Sequence, residues 1–464
     1  MDPVINGGNT AWVMASAALV LLMTPGLAFF YGGMCRNKSV LNMLMMSFSS
    51  LGIVSVLWVV YGYAISFGPT HGNVFGWSSG LVGLKDLTTN LLSDTTENGV
   101  VNTFGLPDLT FAGFQVMFAV ITVALISGAV ADRMKFSAWL AFATLWATIV
   151  YFPVAHWVFA FGSVAGESDP KGAGAASGFI KDSGGWIVNR LGALDFAGGT
   201  AVHINAGAAA LALVLVIGKR KGFGKEAMRP HNLPLVMIGS GLLWFGWFGF
   251  NAGSALAANG LAALAFMNTN VATAAALLAW IFTERIRDGH FTTLGAASGA
   301  VAGLVAITPA CGAVNPLGAI AIGIVAGVGC CLAIGLKHKV GYDDALDVVG
   351  VHLVGGLIGT LMIGVVADQA FASGYKSILD GGSFTLLGKQ AIAAGAVMTY
   401  SFVVTTILAL LIKATIGLRI KEEQEITGID QVEHAETAYE LTTVPAGASH
   451  SALTATAAPQ RVVT

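Results

Sequence analysis

Leu194-Asp195-Phe196-Ala197-Gly198-Gly199-Thr200-Ala201-Val202-His203-Ile204-Asn205-Ala206-Gly207 and Leu346-Asp347-Val348-Val349-Gly350-Val351-His352-Leu353-Val354-Gly355-Gly356 are two versions of one pattern. Each follows an alanine, so both begin Ala-Leu-Asp, and both place Gly four residues after the His. A histidine inside an apolar run is ordinary in a soluble core, but in a bilayer an ionisable group is costly and marks function by default. Which solvent surrounds these runs therefore decides their reading.

The composition points to the membrane. Of 464 residues 55% are hydrophobic and 10% charged, against about 25% charged in a soluble domain, which excludes a soluble enzyme. Apolar stretches lie at 12–33, 42–66, 109–131, 137–162, 196–218, 232–256, 261–283, 291–309, 316–336, 348–370 and 390–416. They predict an all-α polytopic membrane protein with eleven transmembrane helices. The net charge of -2, from 23 basic and 25 acidic residues, gives no basic surface for nucleic acid. Cys35, Cys311, Cys330 and Cys331 form no CxxC pair, so neither a disulfide framework nor a metal site is indicated, and no cofactor is called for.

Arg36, Lys38, Arg133, Lys135, Lys219, Arg220, Lys221, Lys225, Arg229, Arg285, Arg287, Lys337 and Lys339 fall in alternate loops. The other loops hold only Lys85, Lys171, Lys181, Arg190, Lys376 and Lys389. The positive-inside rule makes the first set cytoplasmic, with the N-terminus (1–11) outside and the C-terminus inside. The fifth and tenth spans then enter from opposite faces, which predicts an inverted five-plus-five repeat around a central pore. Its halves cover about 12–218 and 232–370, with the eleventh helix at 390–416 added. Beyond the 12–416 bundle stand a charged region, 417–440, and an Ala/Thr/Ser-rich tail, 441–464, expected to be disordered. Glycines four apart (Gly295, Gly299 and Gly303; Gly323 and Gly327) predict close helix packing.

In this frame His203 lies about 12 Å below Asp195 and His352 about 8 Å from Asp347 at helical rise, so the two histidines converge near the midplane. The Gly after each His is expected to leave room for a small ligand. Asp195 and Asp347 stand where a carboxylate caps a helix N-terminus, and Asp195 at the outer mouth adds negative potential. His156 reads as a structural interface residue. Phe114, Phe118, Trp157, Phe159, Phe161, Trp244, Trp247, Phe248 and Phe250 sit near the outer ends of their spans. They serve either as an interfacial belt or as a cage holding a small cation over ring faces, with Ser254 beside Phe250 able to accept a hydrogen bond.

From Thr10 to about Glu440 the sequence resembles the ammonium transporter family, the Amt, Mep and Rh proteins, and the Amt branch most. The resemblance rests on Thr24-Pro25-Gly26-Leu27-Ala28-Phe29-Phe30-Tyr31-Gly32-Gly33, Asp195 to Ala206, Gly246-Trp247-Phe248-Gly249-Phe250-Asn251-Ala252-Gly253-Ser254, Thr308-Pro309-Ala310-Cys311-Gly312, and Asp347 to His352. It implies a homotrimer in the plasma membrane, one pore per subunit, carrying ammonium or ammonia; whether methylammonium is carried stays open. His203 and His352 look like the family's twin histidines, Phe118 and Phe250 like its paired outer phenylalanines, and Ser254 like its ammonium-holding serine. Asp195 is similar to its mouth aspartate, and Asp347 and Trp247 are expected to support the pore. Where the recruitment site usually has Trp, Phe159 aligns here, with Trp157 two positions earlier. The region 417–440 resembles the cytoplasmic segment that couples subunits and can meet a PII-type regulatory protein.

A charged ion pays heavily to cross an apolar lumen. The expected route is therefore recruitment of NH4+ at Ser254 and the aromatic residues, deprotonation at Phe118 and Phe250, and passage of NH3 along His203 and His352, which are able to relay the proton separately; whether transport is electrogenic or neutral stays open. No enzymatic activity is implied. Two other readings remain at this point: an ammonium sensor acting through the C-terminal region, and a membrane redox protein with the histidines as ligands.

Overall fold

The computed structural model describes residues 5–88, 104–161, 184–372 and 374–439. The tail 441–464, Lys171 and Lys181 lie outside the described residues. Ten described helices are long and apolar enough to cross a membrane: α1 (Gly7–Met34), α2 (Val40–Phe67), α3 (Asp108–Val130), α4 (Phe136–Phe159), α5 (Gly199–Ile217), α6 (Leu233–Gly253), α7 (Gly260–Asp288), α9 (Pro316–Gly341), α10 (Val349–Val366) and α11 (Thr385–Thr415). Between them α8 (Thr293–Ile307) is also apolar but shorter, because the chain leaves the helix in turns at Thr308-Pro309-Ala310, proline being unable to donate to a continuing ladder. The predicted spans are all present as helices, with shifted ends. α1 starts before its apolar run because the Asn6 side chain accepts from the Asn9 amide, an N-cap that places the start. The N-terminal stretch 1–11 is thus partly helix.

The neighbours of the first half recur in the second with their numbers raised by five. α1 packs on α2 and α3, as α6 does on α7 and α8; α2 packs on α3 and α4, as α7 does on α8 and α9. α1 and α6 meet along their whole length in opposite directions: Gly33 touches Asn232 and Val236, Gly26 touches Leu242, and Gly249 touches Leu19 and Ser16. α5 and α10 also cross antiparallel, with Gly207 against Leu353 and Gly356 against Gly199 and His203. Two counter-running pairs, one from each half, make the repeat an inverted one.

The glycine spacings serve packing. Gly299 and Gly303 of α8, and Gly323 and Gly327 of α9, lie against α7, reaching its Ala272, Ala276 and Trp280. The same chemistry corrects one expectation. Gly207 and Gly356 leave no ligand room beside the imidazoles; the space a Cβ would fill is taken by Leu353 and by the Gly199 carbonyl and His203. They let α5 and α10 approach closely enough to bring their histidines together.

At the Arg-rich ends, Arg220 grips Asp343 and also reaches Asp132, 3.0 Å away, which Arg36 meets at 3.2 Å. Burial alone would raise both carboxyls, but Arg220 holds Asp132 and Asp343 below the usual carboxylate range. Residues 417–439 pack on this layer. Buried Glu425 pairs with Arg419 at 2.7 Å and Arg36 at 3.4 Å, and Asp430 caps α2 by accepting from the Leu41 and Asn42 amides.

Candidate functional site

α5 and α10 both open with a turn of π-helix, Gly199–Ile204 and Val349–Leu353, and each turn carries the histidine. Such wide turns are rare and gather at functional sites. What holds the first is Asp195, whose carboxylate accepts from the amides of Gly198, Gly199, Thr200 and Ala201 and from the Thr200 hydroxyl. The chain can fold back beneath that carboxylate because Gly198 takes φ +120°, which residues with a Cβ avoid.

The second turn is held by a residue that the Ala-Leu-Asp echo passes over. Asp344 accepts from the Val349 amide at 2.7 Å, and it stands eight residues before His352, as Asp195 stands eight before His203. Asp347 is too near α10 to reach over its first turn. It takes a left-handed conformation, φ +63°, and pairs with Lys337 at 2.6 Å. The capping role expected of Asp347 therefore belongs to Asp344. Burial, and then the charge of Asp347, pushes the Asp344 carboxyl up to about 6.

His203 and His352 meet with Nδ1 atoms 3.2 Å apart and rings 19° from parallel. Both are buried, and His203 Nε2 has no hydrogen-bond partner among the described residues. For this contact to be a hydrogen bond one Nδ1 must carry the proton and the other accept it, so the pair is one donor–acceptor unit. On one side His203 stacks on Trp247 and Phe250 at 5.4 and 6.1 Å between ring centres. Trp247 is fixed by its Nε1–H donating to Thr308 Oγ1 at 2.8 Å, so the turn that shortens α8 also anchors the floor of the site.

Phe118 and Phe250 close this side, buried with ring centres 4.3 Å apart. Phe114 packs edge-on to Phe118 at 4.8 Å, and Phe159 lies at 6.4 Å. Ser254 caps α6 and donates to the Phe250 carbonyl at 2.7 Å, leaving its oxygen lone pairs free to accept from a cation. Trp157 is not brought to this cluster. Two residues along a helix turn the side chain through about 200°, so with Phe159 facing Phe118, Trp157 faces away, against Tyr400 and Trp186, and donates to the Val74 carbonyl. His156 bridges the Ser66 carbonyl and Thr70 hydroxyl, as an interface residue should.

Behind the two phenylalanines a closed cavity is lined by His203, His352, Trp247, Phe30, Leu27 and Val301. A second, toward Lys337, shares Phe30, Val301 and His352 and adds Tyr31, Ser298 and Asp347. Each offers the centre of a water-sized molecule about 10 Å³, the threshold for holding one such molecule. Both cavities are narrow and mostly apolar; the two imidazoles are the polar groups of the first, and Ser298 and Asp347 join His352 in the second.

The Ammonium Transporter Family model matches residues 11–439. An ammonium transporter of Mycobacterium tuberculosis is 59% identical over 448 residues, covering 94% of this chain and 91% of that protein. One of Bacillus subtilis is 45% identical over 436 residues, covering 93% and 98%. Among solved structures, a Sensor Amt Protein matches with TM-score 0.79 at 28% identity, covering 92% and 98%. Mep2 of Saccharomyces cerevisiae matches with TM-score 0.77 at 32% identity, covering 90% and 88%.

Proposed function

Since the chain belongs to the ammonium transporter family and is a multi-pass ammonium transporter of the cell membrane, we propose that it takes up NH4+, strips its proton at the Phe118–Phe250 constriction and conducts NH3 along His203 and His352. Relatives named ammonium transporter favour this over the sensor and redox readings. One observation carries the mechanism: two buried imidazoles 3.2 Å apart lie behind paired rings in a cavity fit for one small molecule.

NH4+ waits where Ser254 accepts one of its hydrogens and the faces of Phe118 and Phe159 offer cation–π attraction, about 2 kcal/mol when desolvated. The charge of Asp195 adds negative potential, although its oxygens are occupied by backbone amides. Continuing as an ion would mean giving up hydration against apolar walls; releasing the proton leaves NH3, which the imidazoles can both donate to and accept from. The donor–acceptor pair relays the proton separately by exchanging roles. Potassium has no proton to release, so it stops at the rings.

Around this pore we place eleven spans with α8 as the eighth, the N-terminus outside and the C-terminus inside, in a homotrimer. The region 417–440, whose described residues 417–439 sit on the cytoplasmic ends of α2 and α4, is the part open to a PII-type regulator. The test is the current in proteoliposomes after an NH4+ jump, with a K+ jump as control. We expect a sustained NH4+ current in the wild type and its loss in a His203→Ala, His352→Ala double variant. Unchanged ammonium current with potassium still excluded would overturn the twin-histidine route.

A further inference from the structure

From Ser39 to Leu84 there is no charged residue, although α2 ends at Phe67. The rest of this stretch begins with a hairpin, β1 (Thr70–His71) paired antiparallel with β2 (Phe75–Gly76). Its tip and the residue after it expose Val74 at 44%, Phe75 at 40% and Trp77 at 41%, and His71 stacks on Phe75. A soluble loop of this length would carry charge and bury such side chains.

The hairpin is held firmly. Trp157 Nε1–H donates to the Val74 carbonyl at 2.7 Å, Thr70 Oγ1 lies 3.1 Å from His156 Nε2, and the Trp77 amide donates to the Pro69 carbonyl. The aromatic tip is therefore presented at a fixed height on the end of α4. That height follows from α2, whose 28 residues rise about 42 Å, close to the roughly 40–45 Å of a bilayer with its headgroups.

We propose that the hairpin is a membrane-interface anchor, with Val74, Phe75 and Trp77 seated at the boundary between lipid headgroups and acyl chains. Tryptophan and neighbouring uncharged aromatic side chains suit that layer, where the ring is buried and its N–H stays wet. A protein partner fits less well. With aromatic side chains contributing about 150–250 Å² each when fully exposed, the exposed fractions of Phe75 and Trp77 amount to roughly 160 Å², to which the smaller Val74 adds little, against about 800 Å² per side of a stable interface.

The test uses the full chain in liposomes. All four native cysteines are buried, so a Val74→Cys substitution supplies the accessible thiol for a spin label. A label at Phe48→Cys, on the exposed face of α2, and one at Glu423→Cys, in the exposed C-terminal region, serve as lipid and water references. The ratio of relaxation by oxygen to relaxation by a water-soluble nickel chelate should be intermediate at residue 74, several-fold above that at residue 423 and below that at residue 48, as for a depth just beneath the phosphate layer. Chelate-dominated relaxation, as at residue 423, would overturn the anchor. Protection from both agents would overturn it too, in favour of contact with another copy. The same label at Phe75→Cys repeats the measurement if the first variant misfolds.

Discussion

Asp195 and Asp344 stand eight residues before their histidines, yet they are held differently. Asp195 accepts from four amides and a hydroxyl, whereas buried Asp344 accepts from the Val349 amide and leaves Oδ1 unpartnered, near a second carboxylate, Asp347. The histidines differ in the same sense. His203 stacks on Trp247 and Phe250, while His352 meets the second cavity, lined by Tyr31, Ser298 and Asp347. The two copies of one repeat unit thus differ in how firmly they are held; in the proposed mechanism the Asp195 copy serves the outer approach, where proton and cation are separated, and the more loosely held Asp344 copy the inner one, where the product leaves.

The largest effects should come from the histidines singly. Either His203→Ala or His352→Ala removes the Nδ1–Nδ1 contact and should lower ammonium transport at least tenfold, about 1.4 kcal/mol of barrier. Only His203→Ala also takes the support from beneath Phe250, so only it should admit potassium. Equal potassium currents in the two variants would mean that the histidines are interchangeable and that the rigid outer approach is not what excludes the ion.

Next comes the pair of caps. Asp195→Ala strands four amides in one step and should cost about 3–5 kcal/mol, the range for removing one partner of a buried charged network. Asp344→Ala at neutral pH loses a cap worth about 1 kcal/mol and relieves the repulsion from Asp347. Thermal unfolding in one detergent should therefore lower the melting temperature far more for Asp195→Ala. Comparable losses would show that the inner cap is as fully engaged as the outer.

Much of this was legible in the chain, because a bilayer leaves few solutions. Apolar runs had to become helices, and a histidine in each of two echoing runs announced the pair. What stayed hidden depended on distance across a turn. The Ala-Leu-Asp match at 193–195 and 345–347 drew the eye to Asp347, whereas the physical constraint was reach: eight residues separate each cap from its histidine, and Asp343-Asp344 offered a carboxylate at that spacing. Trp157 was misplaced for a similar reason. Its type suited a cation cage, but helix phase decided that Phe159 faced Phe118. Thr308, although in a family-like stretch, and Arg220, although one of the basic loop residues, gave no sign of these particular roles, since a hydroxyl under Trp247 and a clamp on Asp343 arise only from tertiary packing.

The smallest effect is the one that best isolates the inner half. The Asp344 carboxyl is raised to about 6, above its value in an unfolded chain, so between about pH 4 and 6 the folded protein binds more protons than the unfolded one. Its contribution is fully present below about pH 4 and is lost as pH rises through about 6. At about 1.4 kcal/mol per unit the term amounts to about 1–3 kcal/mol. Asp132 and Asp343 run the other way: Arg220 depresses them, so their stabilisation is present at neutral pH and is lost as pH falls below about 4. Asp195 and Asp430, both raised by burial, share the direction of Asp344, so the informative quantity is the difference between wild type and Asp344→Asn. Asp344→Asn keeps an acceptor for the Val349 amide and removes the charge. Melting temperatures from intrinsic tryptophan fluorescence should fall less steeply from pH 4 to 6 in the variant, while the loss below pH 4 stays the same. Parallel profiles in the upper window would mean that Asp344 titrates alike in the folded and unfolded chains, and the contrast between the two approaches would then rest on the histidines alone.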